Sequence, residues 1–394
     1  MDDSVYTKSL QFHAKNRGKL GTASVIGALD RSTLALAYTP GVAEPCRVIA
    51  ETPFAAYDLT LKGRTVAVIS DGSAVLGLGN IGAIAGLPVM EGKALLLKQF
   101  GGVDAFPLVI DVHDAQRIID FVKNVAPTFA GINLEDIAAP ICFEVEEGLQ
   151  DIGIPVFHDD QHGTAIVVRA ALINAAKVVG KPYESLRVVI VGAGAAGLAI
   201  AKMLLGASCM AGECSLLKNA NHVGDVIVVD TKGALVVGRE GQNIYKQAIA
   251  GLSNIHRIGG ELSTVVRDAD VVIGVSGPGS ITKTMVASMA PNAIVFAMAN
   301  PTPEILPEEA KAAGAMVVAT GRSDFPNQIN NVLAFPGIFQ AVVTGRLEKI
   351  TPEMKLAASD AIAHLITDPN PENIIPSVFY PGLAEIVSAA VVSG

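Results

Sequence analysis

Four apolar residues, Val188 to Val191, run directly into Gly192-Ala193-Gly194-Ala195-Ala196-Gly197, and the helix-forming run LAIAKMLL follows. A strand, a glycine turn and a helix in immediate succession constrain the fold more than any other stretch of these 394 residues. In that setting G-x-G-x-x-G aims backbone amides and a helix N-terminus at a pyrophosphate. Gly192 permits the tight turn, Gly194 lets the phosphate approach, and Gly197 allows close helix–strand packing. The pattern then repeats. Strands are predicted at 187–191, 225–229, 271–275, 293–297 and 315–319, with helices near 195–205, 261–268, 283–289 and 304–313. Alternation at this spacing argues for an α/β fold with a doubly wound, Rossmann-type dinucleotide-binding sheet.

The second strand ends at Asp230, 33 residues after Gly197. An acidic residue there suits a hydrogen bond to the ribose 2′-hydroxyl, usually about 20 residues beyond the fingerprint. An insertion at 210–224 accounts for the gap. The acid repels a 2′-phosphate, which favours NAD over NADP. Thr231 and Lys232 follow at once and offer an alternative phosphate acceptor.

Upstream, strands are predicted at 65–70, 105–110 and 154–157, each ending in acidic or polar residues, and a helix at 164–179. In open α/β sheets ligands bind beyond the carboxyl ends of strands. Two acidic pairs, Glu135-Asp136 and Asp159-Asp160, stand 24 residues apart. Carboxylate oxygens suit the hard cations Mg²⁺ and Mn²⁺. His158 and His162 form no HExxH motif and have no CxxC pair to complete a zinc site, so they read as orienting or structural residues. The length fits roughly two to three domains of ~150 residues. The expected division is an N-terminal α/β catalytic domain at 1–162 and the dinucleotide-binding domain at 163–394. A helical tail, about 336–394, could pack back on the first half.

Bulk properties narrow the partners. A net charge of −9 disfavours nucleic acid and anionic membranes. There is no window of about 18 uninterrupted apolar residues, and the acidic start Met1-Asp2-Asp3-Ser4 lacks the features of a signal peptide. The four cysteines (Cys46, Cys142, Cys209, Cys214) form no CxxC pair, so reduced thiols in a cytoplasmic protein are expected.

Several motifs in one order carry a resemblance that composition does not. They are YTPGVAEP at 38–45, SDGSAVLGLGN at 70–80, EGKA at 91–94, FHDDQHGTA at 157–165 and ANPT at 299–302. From about residue 10 to the C-terminus the chain resembles the malic enzymes, in their compact prokaryotic-type branch. That resemblance implies oxidative decarboxylation of L-malate to pyruvate and CO₂ with NAD (NADP possible) and Mg²⁺ or Mn²⁺. It makes Glu135, Asp136 and Asp160 the metal ligands, with Asp159 behind them. Lys93 takes the place of the general base and Tyr38 that of the general acid. Asn300 and Asn331 match amides that hold the substrate near the nicotinamide. The cofactor residues become Thr164, Gly192, Gly194, Ala195, Ala196, Gly197, Asp230 and Asn300.

For the chemistry to work, Lys93 must be neutral when it accepts the hydroxyl proton, so its pKa must fall. Larger members carry an arginine where this chain has Ala74. That leaves the cation for the substrate's carboxylate unassigned, with Lys62 and Lys98 as candidates. The family implies a homodimer or larger assembly, in which the segment near Tyr38 completes a neighbour's site. Two other readings stand beside this one. A malolactic enzyme on the same scaffold releases lactate, and a non-catalytic dinucleotide-binding regulator binds cofactor without turnover.

Overall fold

The computed structural model describes residues 3–218 and 220–394. Met1 and Asp2 of the acidic start, and Asn219 of the expected insertion, lie outside the described residues. Four parallel strands form the first sheet: β1 (Thr65–Ser70), β2 (Asp104–Val109), β3 (Gly131–Leu134) and β4 (Val156–His158), in the order β2-β1-β3-β4. β3 is absent from the sequence expectations. It is four residues long, and its Asn133 breaks the apolar run that marks its neighbours.

The second sheet is built from β5 (Arg187–Val191), β8 (Asp225–Asp230), β9 (Gly233–Ala234), β10 (Val271–Gly274), β11 (Ala293–Ala297) and β12 (Ala315–Thr320). Its order is β12-β11-β10-β5-β8-β9, all parallel except the short edge strand β9. The chain leaves β5 to one side and returns to β10 on the other, so a switch point opens beyond their carboxyl ends. Both faces are covered. Val188 and Ile190 point into one apolar cluster, Val189 and Val191 into another, as the two-residue period of a buried strand requires.

The helix Asp159–Val179 starts as β4 ends and runs to the approach of β5, joining the sheets. It begins five residues before the expected start. Asp159 and Asp160 occupy its first turn, where carboxylates favour the helix dipole. Gly163 does not break it. A Cβ there would fall 1.8 Å from Asp159 Oδ1, so glycine makes room for that carboxylate. This helix is long and apolar enough to cross a membrane, but 72% of its most apolar window is buried within the protein, the property of a core helix.

The tail reaches both halves. Asn174, on the joining helix, donates to Ala363 O and Ile374 O at 2.8 and 3.0 Å. The tail helix Phe335–Gly345 lies on the helix Ala83–Gly101, where Gly101 allows the backbone of Pro336 to approach. By contrast, the N-terminal arm covers little. Its helices Arg31–Ala37 and Ala43–Glu51 bury no residue, and Leu10, Val25, Leu29 and Leu36 stand exposed.

One expectation is corrected. Cys209 and Cys214 are joined by a disulfide rather than being free thiols. The 210–224 stretch read as an insertion overlaps a hairpin, β6 (Ala207–Met210) and β7 (Glu213–Leu216), whose register sets the two cysteines opposite each other. Cys46 and Cys142 are free.

Candidate active site

Three adjacent strands deliver acids to one edge of the first sheet. β1 runs into Asp71, β3 into Glu135-Asp136, and β4 into Asp159-Asp160. One ligand oxygen from each of Glu135, Asp136 and Asp160 lies within 4.8 Å of the others. The Asp136 N–H donates to Asp160 Oδ2 at 2.7 Å, and Asn133 Nδ2 donates to Glu135 Oε2 at 2.8 Å. Asp136 sits at φ 54, a left-handed conformation that Asp tolerates better than most residues. Burial pushes the carboxyls of Glu135, Asp136 and Asp160 up to about 7, about 9 and about 6. Neighbouring acid charge adds to the rise and Lys93 offsets part of it. Asp136 Oδ2 is buried without a hydrogen-bond partner. Hard oxygen donors, crowded and short of positive charge, fit Mg²⁺ or Mn²⁺.

Lys93 projects from the Ala83–Gly101 helix into the same cluster and is 7% exposed. Its Nζ lies 2.5 Å from Asp159 Oδ2, 2.9 Å from Glu135 Oε1 and 4.3 Å from the Phe335 ring centre. Burial pushes the ammonium's pKa down, but Asp159, Glu135 and Asp160 together outweigh it and hold the pKa above its ordinary value. The fall expected from the sequence is therefore opposed by the acids themselves. Asp159, fully buried, is raised by that burial to about 7, with Lys93 and the Asn331 amide offsetting part of the rise.

A loop closes over the carboxylates. Asp71 accepts from the Ser73 N–H and Oγ at 3.0 and 2.6 Å and lies 2.9 Å from His113 Nδ1. The Ala74 N–H donates to Asp136 O at 2.9 Å. At Gly77 a Cβ would stand 2.3 Å from Asn300 O, so the loop meets the second half of the chain at Asn300. Lys62 and Lys98 are corrected as carboxylate-binding candidates. Lys62 donates to Phe129 O at 2.6 Å and Lys98 pairs with Asp104 at 2.7 Å, both at the amino ends of the strands, opposite the cluster. Tyr38 lies on the N-terminal arm, 67% exposed, and is not gathered into the cluster.

At the switch point the glycines behave as their spacing predicts. A Cβ on Gly192 (φ 120) would stand 2.5 Å from Val275 O, and one on Gly197 would stand 1.8 Å from Gly192 O. Gly194 caps the helix Ala195–Leu204 and faces open space, leaving the helix N-terminus accessible beside Ala195 and Ala196. Thr164 lies one turn beyond Asp160 on the joining helix. Asp230 ends β8, but it is fully engaged. Oδ1 accepts from the Lys232 N–H at 2.9 Å and Arg239 Nη1 at 2.8 Å. Oδ2 accepts from Arg239 Nη2 at 2.6 Å and Lys246 Nζ at 2.7 Å. Burial raises its pKa, yet these donors together hold it well below the usual carboxylate range.

Two supporting residues escaped the sequence reading. Asn133 orients Glu135 and could have been found as a lone amide inside an apolar strand two residues before the acid pair. Glu304, fully buried, accepts from the Ser276 and Ala299 N–H groups at 2.9 and 3.0 Å, tying together the loops after β10 and β11. No local signal marks it. His158 is fully buried, its pKa lowered by that burial to about 4. His162 turns away from the cluster to Glu146, 2.5 Å from its Nε2.

Comparisons with known proteins agree along the whole chain. Residues 18–150 match the family described as "Malic enzyme, N-terminal domain", and residues 161–392 match "Malic enzyme, NAD binding domain". The chain is 51% identical to a bifunctional malic/malolactic enzyme of Bacillus subtilis, over 98% of this chain and 92% of that one. It is 45% identical to an NADP-dependent malic enzyme of Halomonas elongata, over 95% and 86%. Its structure is similar to the crystal structure of an NAD-dependent malic enzyme from Thermotoga maritima. That match has a TM-score of 0.90 and 47% identity, over 97% of this chain and 98% of that one.

Proposed function

The chain belongs to the malic enzyme family and oxidatively decarboxylates malate with a nicotinamide dinucleotide, and we propose that the buried acids and lysine at the strand ends carry out that reaction. The observation that carries the proposal is the meeting of Glu135, Asp136 and Asp160 within 4.8 Å, with Lys93 Nζ 2.9 Å from the first of them. These three acids would hold Mg²⁺ or Mn²⁺. A cation bound there would polarise the C2 oxygen of the substrate and cancel the acid charge that keeps Lys93 protonated.

Lys93 then takes the C2 hydroxyl proton. Its own proton has a route out, because Asp159 Oδ2 lies 2.5 Å away on a carboxyl raised to about 7, a competent acceptor near neutrality. A nicotinamide dinucleotide held at the Gly192–Gly197 turn would take the hydride from C2, leaving the keto acid oxaloacetate. The C3–C4 bond breaks next, CO₂ departs, and its electron pair leaves enolpyruvate. Tyr38 protonates C3 to give pyruvate. Asn331, beside Asp159 over Gly163, and Asn300, against the Gly77 loop, hold the substrate's carboxylates.

Tyr38 reaches the reaction from a second copy of the chain. The exposed apolar residues of the N-terminal arm support a homodimer that buries this surface. Both cofactors are accepted. Four donors fill the acceptor positions of Asp230, and Arg239 and Lys246 outweigh its charge, so a 2′-phosphate meets a positive surface. The 51% identical Bacillus subtilis relative, named bifunctional, favours a second activity, malate to lactate. Lactate formed from malate without accumulating reduced cofactor would establish it, and its absence removes it.

The test of the main reading is metal-dependent stability. Mn²⁺ at a hundredfold its Kd should stabilise the protein by about 2.7 kcal/mol. Asp160→Asn should lose most of that gain and demand far more Mn²⁺ for turnover. Full activity of the wild-type protein in excess chelator refutes the assignment.

A further inference from the structure

Behind the acid cluster lies a separate cavity of about 190 Å³, room for on the order of a dozen waters. Its polar lining includes Glu146, Glu147, Gln161, Lys202 and Lys355. The two carboxylates are already served. Glu146 lies 2.5 Å from His162 Nε2, while Glu147 accepts from the Ala211 N–H at 2.8 Å and Tyr245 Oη at 3.3 Å.

The donors are not served. Lys202 and Lys355 make no ion pair or hydrogen bond through their ammonium groups among the described residues. Each instead faces an aromatic ring, Phe143 at 5.7 Å and Phe157 at 5.9 Å. Gln161, 1% exposed, has its Nε2 buried without an acceptor. A cavity with three idle donors, two of them cationic, lacks an anionic acceptor. Phe143, Met203 and Leu356 add apolar wall. Because Glu146 and Glu147, though engaged elsewhere, line the same cavity, one added negative charge suits the site better than two.

We infer that this cavity is a second ligand site, separate from the malate site, for a short-chain monocarboxylate whose carboxylate meets Lys202 and Lys355 and whose hydrocarbon part lies on Phe143, Met203 and Leu356. Its walls explain why occupancy matters. Phe143 and Glu146 lie on the helix Ile141–Glu147, which follows Glu135-Asp136. Gln161 lies on the helix that opens with Asp159 and Asp160, and Lys202 on the helix that opens at the dinucleotide turn. A ligand there bears on three helices, each attached to part of the active site, so it shifts the KM for malate or metal.

Calorimetric titration of butyrate into the full-length protein tests this, with inorganic phosphate as a parallel probe. Wild type and the active-site variant Lys93→Ala should bind butyrate equally. Lys202→Gln and Lys355→Met should each weaken binding tenfold or more. Leu356→Trp, which fills the cavity without touching either lysine, should abolish it. Melting curves recorded alongside separate loss of a site from loss of fold. Failure of wild type to bind butyrate overturns the proposal. So does binding that survives both lysine substitutions or vanishes in Lys93→Ala. Lysine-dependent binding of phosphate alone overturns the carboxylate assignment, and lysine-dependent butyrate binding with unchanged malate and metal KM overturns the coupling.

Discussion

Removing Arg239 should turn the enzyme towards NAD. In the folded protein Arg239 gives Asp230 two of its four hydrogen bonds, at 2.8 and 2.6 Å, and Lys246 and the Lys232 N–H give the others. A carboxylate has about four lone-pair positions, so none is left for a ribose hydroxyl. Arg239→Ala withdraws a positive charge and frees two acceptor positions at once. A hydrogen bond to a charged group contributes about 1.5–3 kcal/mol, so losing one between Arg239 and a 2′-phosphate should cut kcat/KM for NADP by roughly 10- to 150-fold. NAD should hold level or gain, because the freed Asp230 can accept from its 2′-hydroxyl. Arg239 also donates to Gly233 O and Ala234 O, so the turn itself could loosen. Lys246→Met is the control: it removes one contact to Asp230 and leaves the turn intact, and it should move the preference in the same direction by less. The assay is initial-rate formation of reduced nicotinamide with each cofactor at saturating malate and Mn²⁺. A kcat/KM ratio for NADP over NAD that stays unchanged in both variants, or rises, refutes the reasoning.

Lys93→Ala should lower malate oxidation by at least ~10²–10⁴, the usual contribution of a positioned base, while stabilisation by Mn²⁺ persists; near-normal turnover removes Lys93 from its role. Tyr38→Phe should slow protonation of enolpyruvate more than hydride transfer. Mixing Tyr38→Phe with Lys93→Ala should restore activity, because a mixed dimer then holds one intact site; no recovery after subunit exchange argues against delivery of Tyr38 by a partner. Lys355→Met should raise the melting temperature at neutral pH. Burial, with Lys202 adding to it, lowers the Lys355 pKa from 10.5 to about 8 despite Glu146. Below about 8 the folded protein carries that ammonium at full cost. The cost fades as pH rises from about 8 to 10.5, because over that window the unfolded chain holds the proton that the folded chain has lost. A stabilisation that instead grows across that range contradicts the assignment.

The sequence discloses what depends on period and punctuation. β1, β5 and β11 fall at their predicted residues because each is an apolar run bounded by turn formers, and both faces of each are buried. β3 escaped because its stability comes from lying between β1 and β4, not from its own four residues. The Cys209–Cys214 pairing escaped for a similar reason. Only the hairpin register, with Ala211-Gly212 at the turn, brings the two sulfurs together.

Within the site, adjacency along the chain conceals divergence in space. Asp159 and Asp160 read as one acidic pair, but successive helical residues point about 100° apart. One therefore meets Lys93 while the other meets Asp136. Asp230 shows the same limit from the other direction. Its position at the end of β8 is that of an acid suited to a ribose hydroxyl, and from charge alone it should repel a 2′-phosphate. Whether it does depends on lone pairs already committed to Arg239 and Lys246, residues placed by the turn at β9 and by the helix Ile244–Leu252 that follows. A motif names the residue at such a position, but what that residue can still bind is decided by partners the motif does not contain.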